Sequence, residues 1–202
     1  MKKRIEGSGA NRRGFLQGAA ASIAGAALVT ILPAGEANAA DSKPCSAEEV
    51  DQLKKRLGDS QLNGTLRTAQ YVTRLRDKFD AGVVAVVQET TIENSKQQAE
   101  KMPVPKEKRN LQTVRELFAR IADDITYTWL EDRPEKLKAN VTRCRWAEEF
   151  KKAGVSGEIG AALVCAFDYG FCAGFNPDMK FTRTKTIMQG DDHCDHTYEL
   201  KT

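Results

Sequence analysis

From residue 46 onward, apolar positions recur for some eighty residues mostly at steps of three and four, the period of a helix with one buried face. Ser46-Ala47-Glu48-Glu49 is a capping box, in which the hydroxyl and the Glu three residues on satisfy the first free N–H groups. The pattern predicts a first helix to about Leu57, stopped by Gly58, then a polar turn over residues 59–64. Leu66, Ala69, Val72, Leu75, Phe79 and Val83 then mark one face of a long second helix. The run Val83-Val84-Ala85-Val86-Val87 is β-branched enough to suit a strand, but its flanks are helical and helix is expected throughout. Pro103 and Pro105 break the chain. A third helix follows on Leu111, Val114, Leu117, Phe118, Ile121, Ile125 and Trp129, and ends before Pro134.

After Pro134 the texture changes. Residues 137–145 alternate around Val141 and Cys144 and read as a strand that feeds a helix over 146–153, capped by Gly154. Residues 158–171 form another apolar helix, and Asn176-Pro177-Asp178 turns the chain into residues 179–188, which alternate as a half-buried strand does. Gly190-Asp191-Asp192 turns it again into 193–200, so the C-terminus is expected to be a β-hairpin. The fold class is α+β: N-terminal helices followed by a small antiparallel sheet with helices packed on one face.

The first 39 residues are read differently, as an export address. Asn11-Arg12-Arg13-Gly14-Phe15-Leu16-Gln17, the Ala/Gly-rich apolar run to Leu32 and Ala37-Asn38-Ala39 have the form of a twin-arginine signal with its cleavage site. Residues 18–32 are shorter than the ~20 apolar residues a spanning helix needs. The expected partner is the twin-arginine export machinery, the destination periplasmic or secreted, and the fold complete before export. Residues 40–202 remain as a single domain. Lys2, Lys3, Arg4, Arg12 and Arg13 against Glu6 and Glu36 account for the whole +3 of the chain, so the mature part is neutral. Neutrality removes the electrostatic case for nucleic acid or an anionic membrane. No further apolar run approaches membrane-spanning length, so no stable membrane insertion after cleavage is expected.

Candidate chemistry collects in the last third. Of five cysteines, Cys45 is the expected spare thiol, and Cys144, Cys165, Cys172 and Cys194 could pair in three ways in an oxidising compartment. Both histidines, His193 and His196, lie in Asp191-Asp192-His193-Cys194-Asp195-His196. In a strand, Cys194 and His196 would share one face, and His193 and Asp195 the other. Cys165, Asp168 and Cys172 fall on one helical stripe. Three readings are open. A thiolate activated by a neighbouring His or Arg could act with Asp168 handling protons. Cys194, His196 and His193 could hold zinc or copper. Or the thiols are small core fillers and the His/Asp run a solvated turn.

From Thr142 to Tyr198 the chain carries a Cys-x-Trp-Ala, Cys-x-x-Asp, Asn-Pro, Arg-Thr-x-Thr and Gly-Asp-x-x-Cys-Asp in order, and so resembles the L-2-amino-thiazoline-4-carboxylic acid hydrolase family. The Gly-Asp-x-x-Cys ending is also similar to that of vinyl-reductase-like sensor domains, which implies a small-ligand pocket without catalysis. The hydrolase resemblance implies a small-molecule substrate, no cofactor, and water added to a cyclic isothiourea to give a carbamoyl-cysteine. Carried onto this chain, it implies catalytic roles for Cys144, Cys165, Asp168, Cys194 and His196, the last as proton donor. Arg183 or Lys185 would hold the substrate carboxylate, and Asn176 would contribute to substrate binding. Trp146 is expected in the core.

Overall fold

The computed structural model describes residues 46–201. Residues 1–39, read above as an export address, and Cys45 lie outside them.

Helix α1 (Ala47–Lys78) starts on the capping box foreseen at Ser46, with the Ser46 hydroxyl accepting from the Glu49 N–H and the Glu49 carboxylate accepting from the Ser46 N–H. It does not stop at Gly58. The expected turn over 59–64 is helical, because a glycine costs a helix only about 1 kcal/mol relative to alanine. Leu62, Thr65, Ala69 and Val72 beyond it are all buried. The chain breaks instead at residues 79–81, so Val83 belongs to α2 (Gly82–Glu100), where the valine run is helical as expected. Leu75 and Phe79, expected on the buried face, are exposed.

Helix α3 (Leu111–Arg120) is capped by the Asn110 side chain, which accepts from the N–H groups of Gln112 and Thr113. It is shorter than its apolar period suggested. Residues 125–132 form strand β1 (Ile125–Asp132), with Ile125, Tyr127 and Trp129 inward and Thr126, Thr128 and Leu130 outward. Strand β2 (Lys136–Cys144) pairs with it antiparallel across a turn holding Pro134, then runs directly into α4 (Arg145–Lys152). Gly154 follows with φ 69°, in the left-handed region where glycine carries no Cβ penalty.

The next helical stretch has three parts: α5 (Gly157–Gly160), a π turn (Ala161–Cys165) and α6 (Phe167–Phe175). Against expectation, the 19 residues Gly157–Phe175 are long and apolar enough by length and composition to cross a membrane. Half of that stretch is buried inside the domain, as the central helix of its core. It lies hard against α2: a Cβ on Gly170 would come within 2.0 Å of the Ile92 carbonyl oxygen, and one on Gly174 within 2.1 Å of that of Lys96. Arg109 ties the far ends of these helices, donating to the carbonyls of Glu100 at the end of α2, of Met102 just beyond it, and of Gly174 and Phe175 in α6.

Strand β3 (Met179–Thr182) and strand β4 (Cys194–Leu200) complete a four-stranded antiparallel sheet of order β1-β2-β4-β3. The strand expected over 179–188 ends at Thr182, because carboxylates of the returning segment take the next backbone donors. Asp195 accepts from the N–H groups of Thr184 and Lys185, and Asp191 from that of Thr186. A side chain that satisfies the backbone competes with the ladder, and the chain loops to β4 through a 3-10 turn (Ile187–Gln189). The class is therefore α+β, with the sheet covered on one face.

Two apolar cores result. One lies between the sheet, α3 and α6, around Leu111, Leu137, Phe175 and Tyr198. The other lies among α1, α2, α4 and α5, around Ala69, Phe150, Ile159 and Leu163. Cys144 and Ile187 pack against both, and mark the seam where they meet.

Candidate active site

The π turn ends at Cys165. The Ala166 N–H reaches back five residues to the Ala161 carbonyl at 2.8 Å, which widens one helical circuit; such turns are frequent at functional positions. The Cys165 carbonyl accepts from Nη2 of Arg183 at 2.8 Å. Nη1 of the same guanidinium donates to Oδ2 of Asp168 at 2.7 Å and lies 3.3 Å from Nε2 of His196. The cation sits 5.6 Å from the Tyr169 ring centroid and 5.5 Å from that of Phe181. Its side chain is only 7 % exposed, so it is a buried charge held by a carboxylate, a carbonyl and two π faces.

Thr186 joins the sulfur side of the site. Its Oγ1 is 3.7 Å from Sγ of Cys165 and 3.7 Å from Sγ of Cys194. Sγ of Cys194 also accepts the Ile187 N–H at 3.2 Å. Cys144 packs against the core cluster that contains Cys194. Burial pushes the Cys165 thiol up to about 12, with the Arg183 cation opposing the rise, and burial also raises Cys144. Both are thiols near neutral pH.

His196 faces the helices together with Cys194 and Tyr198, the face expected from alternation along β4. Burial presses its pKa down to about 4, so the ring is neutral near pH 7. Arg183 is always a donor, so Nε2 of His196 is the acceptor and the ring proton is assigned to Nδ1. That Nδ1 is buried without a partner, among the rings of Phe118 and Phe181. Asp195, on the other face, feels burial, but the Thr184 hydroxyl and the Lys185 and Thr184 N–H groups outweigh it and hold its pKa at about 2. The Arg-Thr-x-Thr and Gly-Asp-x-x-Cys-Asp motifs are thus two halves of one braced loop.

A cavity of about 140 Å³ opens beside this loop. Its wall includes Gln88, Cys165, Tyr169, Arg183, Lys185 and Gln189. Pockets for drug-sized ligands run about 300–1,000 Å³, so this one suits a small polar molecule.

Cys144, Cys165, Asp168, Arg183, Cys194 and His196 are brought into one connected region, and of these Cys165 and Arg183 reach the cavity wall. Asn176 is not brought there: its amide donates to the Arg109 carbonyl and accepts the Asp178 N–H, fastening the end of α6. His193 turns the other way and bonds Asp192. Among the described residues no group of three or more His, Cys, Asp and Glu side chains comes together to hold a metal ion, so Cys194, His196 and His193 do not form a joint ligand set. The four described cysteines are free thiols. Trp146 packs against the second core, as expected. Sequence reasoning missed Gln88, Tyr169, Gln189 and Thr186. Thr186 stood in a quoted motif, but Gln88 is one polar residue on a helix and carried no signal.

The sequence model of one protein family, described as L-2-amino-thiazoline-4-carboxylic acid hydrolase, matches residues 65–198. The comparison with curated proteins finds no match.

Proposed function

The chain belongs to the L-2-amino-thiazoline-4-carboxylic acid hydrolase family, and from that premise we propose that its cavity takes a small cyclic isothiourea bearing a carboxylate and opens the ring with water. The observation that carries this reading is the meeting of a cavity-wall thiol, Cys165, with the Arg183–Asp168 ion pair and the half-exposed ammonium of Lys185.

The raised pKa of Cys165 sets the order of steps. A protonated thiol is a poor nucleophile, but an isothiourea nitrogen is basic. Cys165 gives its proton to the ring nitrogen, which leaves a thiolate beside an amidinium carbon. Sγ adds to that carbon, the ring carbon–sulfur bond breaks, and the ring sulfur leaves as a thiol carrying the proton Cys165 gave up. Water then adds to the same carbon, and Asp168, set behind the cavity wall, acts through the Arg183 guanidinium that it holds. The Cys165 sulfur departs with a proton, and one water has been consumed for one carbamoyl-cysteine. Lys185 meets the substrate carboxylate at the cavity mouth. Arg183 and neutral His196 act as positioning groups, because their polar atoms face Asp168 and each other.

The reading includes work outside the cytoplasm, after export through the twin-arginine route that residues 1–39 suggest. A second reading draws on the same protonated thiol: the cavity holds a small ligand and does not turn it over.

Incubation of purified protein with L-2-amino-thiazoline-4-carboxylate, read by new free thiol and by product mass, separates the two. Product formation that is lost in Cys165→Ser and kept in Cys172→Ala supports hydrolysis. Binding by calorimetry without product hands the cavity to the second reading.

A further inference from the structure

Helix α1 spans 32 residues, about 48 Å at 1.5 Å per residue. Only its second half is packed: Leu62, Thr65, Ala69 and Val72 are buried, while residues 46–57 include no buried position. The family match begins at residue 65, so those free turns lie outside it. Free helical turns are marginal in water, and Gly58 and Gly64 each weaken the helix further. Something beyond the domain core has to support them.

A second apolar stripe runs down the opposite side. Val50, Leu53, Leu57, Tyr71, Leu75 and Phe79 are each at least 39 % exposed, and their steps of three and four keep them on one face. Gly64 lies on the same stripe, seven residues from Leu57 and seven from Tyr71. The stripe is self-complementary about that glycine. Against a second, antiparallel copy crossing at Gly64, Leu53 meets Leu75 and Leu57 meets Tyr71, while Val50 falls one residue from Phe79. Nothing lies within 4 Å of where a Gly64 Cβ would be, so two backbones can approach closely there.

Charge agrees with this direction. The first turn carries Glu48 and Glu49, and the last carries Lys78 beside an Arg76 that Asp77 and Ser156 hold within its own domain. Antiparallel pairing brings each acidic end to a basic end and opposes the helix dipoles. Arg56 and Arg74 fall on one flank, a repulsion that long rim side chains relieve by turning into water.

We propose that α1 is a dimerisation helix, and that a second copy of this chain covers the stripe in an isologous antiparallel contact. Sedimentation equilibrium of the full chain should give a dimer at micromolar concentration. Leu57→Glu should weaken it at least a hundredfold, while Leu130→Glu, on the exposed face of β1, leaves it intact. Glu49→Lys should weaken association, and adding Lys78→Glu should restore it; a merely misfolded variant would not recover. Gly64→Cys should crosslink two copies rapidly under mild oxidation. A monomer at 100 µM overturns the proposal, whether residues 1–45 prove to cover the stripe or lipid vesicles capture it instead, and so does a dimer insensitive to Leu57→Glu. Ring-opening activity is measured separately, so its loss or presence leaves this result unaffected.

Discussion

Arg183 and Asp168 form an ion pair in which the cation is the deeper partner: Nη1 to Oδ2 is 2.7 Å, with side-chain exposures of 7 % and 30 %. The arginine is therefore a fixed strut between the π turn, β3 and β4, and the carboxylate is the partner with an oxygen to spare.

Asp168→Asn leaves the buried guanidinium without its counter-charge, and breaking such a pair costs about 3 kcal/mol. Adding Arg183→Met removes the stranded charge and should return part of that loss. Urea unfolding of the two single variants and the double variant measures the coupling. Additive effects would mean that the pair does not hold the site together. Ring opening should fall in all three.

With its pKa at about 12, Cys165 should react slowly with iodoacetamide at pH 7, and roughly tenfold faster per pH unit up to about pH 10. Residue-level mass spectrometry follows it apart from Cys172. A rate at Cys165 that is fast and flat with pH would show a preformed thiolate and would remove the proton transfer to substrate proposed above.

Acid should loosen the fold in two stages. His196 has a folded pKa of about 4 against an ordinary 6.5, so the unfolded chain binds the extra proton. Its contribution is whole above pH 6.5 and shrinks by about 1.4 kcal/mol per pH unit on the way down to 4. Asp195 has a folded pKa of about 2 against 3.8, so its contribution holds above 3.8 and is lost as pH falls to 2. Unfolding midpoints recorded from pH 7 to pH 2 should flatten over the upper window in His196→Asn and over the lower one in Asp195→Asn. Unchanged slopes in either variant would reassign that stage.

Glycines separate by what surrounds them. Gly170→Ala sets a methyl 2.0 Å from the Ile92 carbonyl oxygen and should cost about 2–3 kcal/mol by forcing α2 and α6 apart. Gly58→Ala meets nothing within 4 Å and should stabilise α1 by about 1 kcal/mol. Thermal melts of both variants check the contrast.

Much of this architecture was legible from local pattern, and the misreadings have physical causes. The capping box, β2 running straight into α4, the left-handed Gly154 and the face of β4 that carries Cys194 and His196 all follow from short-range chemistry. Ile121, Ile125 and Trp129 fit a helical step, while Ile125, Tyr127 and Trp129 fit a strand step equally well. Pairing with β2 decided between them, and a partner strand is not visible in a local window. Gly58 looked like a stop because its cost is local, whereas the burial of Leu62 and Ala69 that outweighs it is tertiary. In the site, the sulfur and carboxylate positions could be named from motifs. The turning away of Asn176, the burial of Arg183 and the presence of Gln88 depend on how α2 and α6 sit together.

The π turn before Cys165 adds a residue to a helix without adding a loop, and the wide circuit absorbs it, so the residues after it keep the phase of an uninterrupted helix. Deleting one position between Ala161 and Cys165 would therefore restore an ordinary helix and leave Asp168 and Tyr169 on their present faces. A lesion of one codon would thereby act on the turn alone, where the Cys165 carbonyl meets Arg183, and spare the helix beyond it.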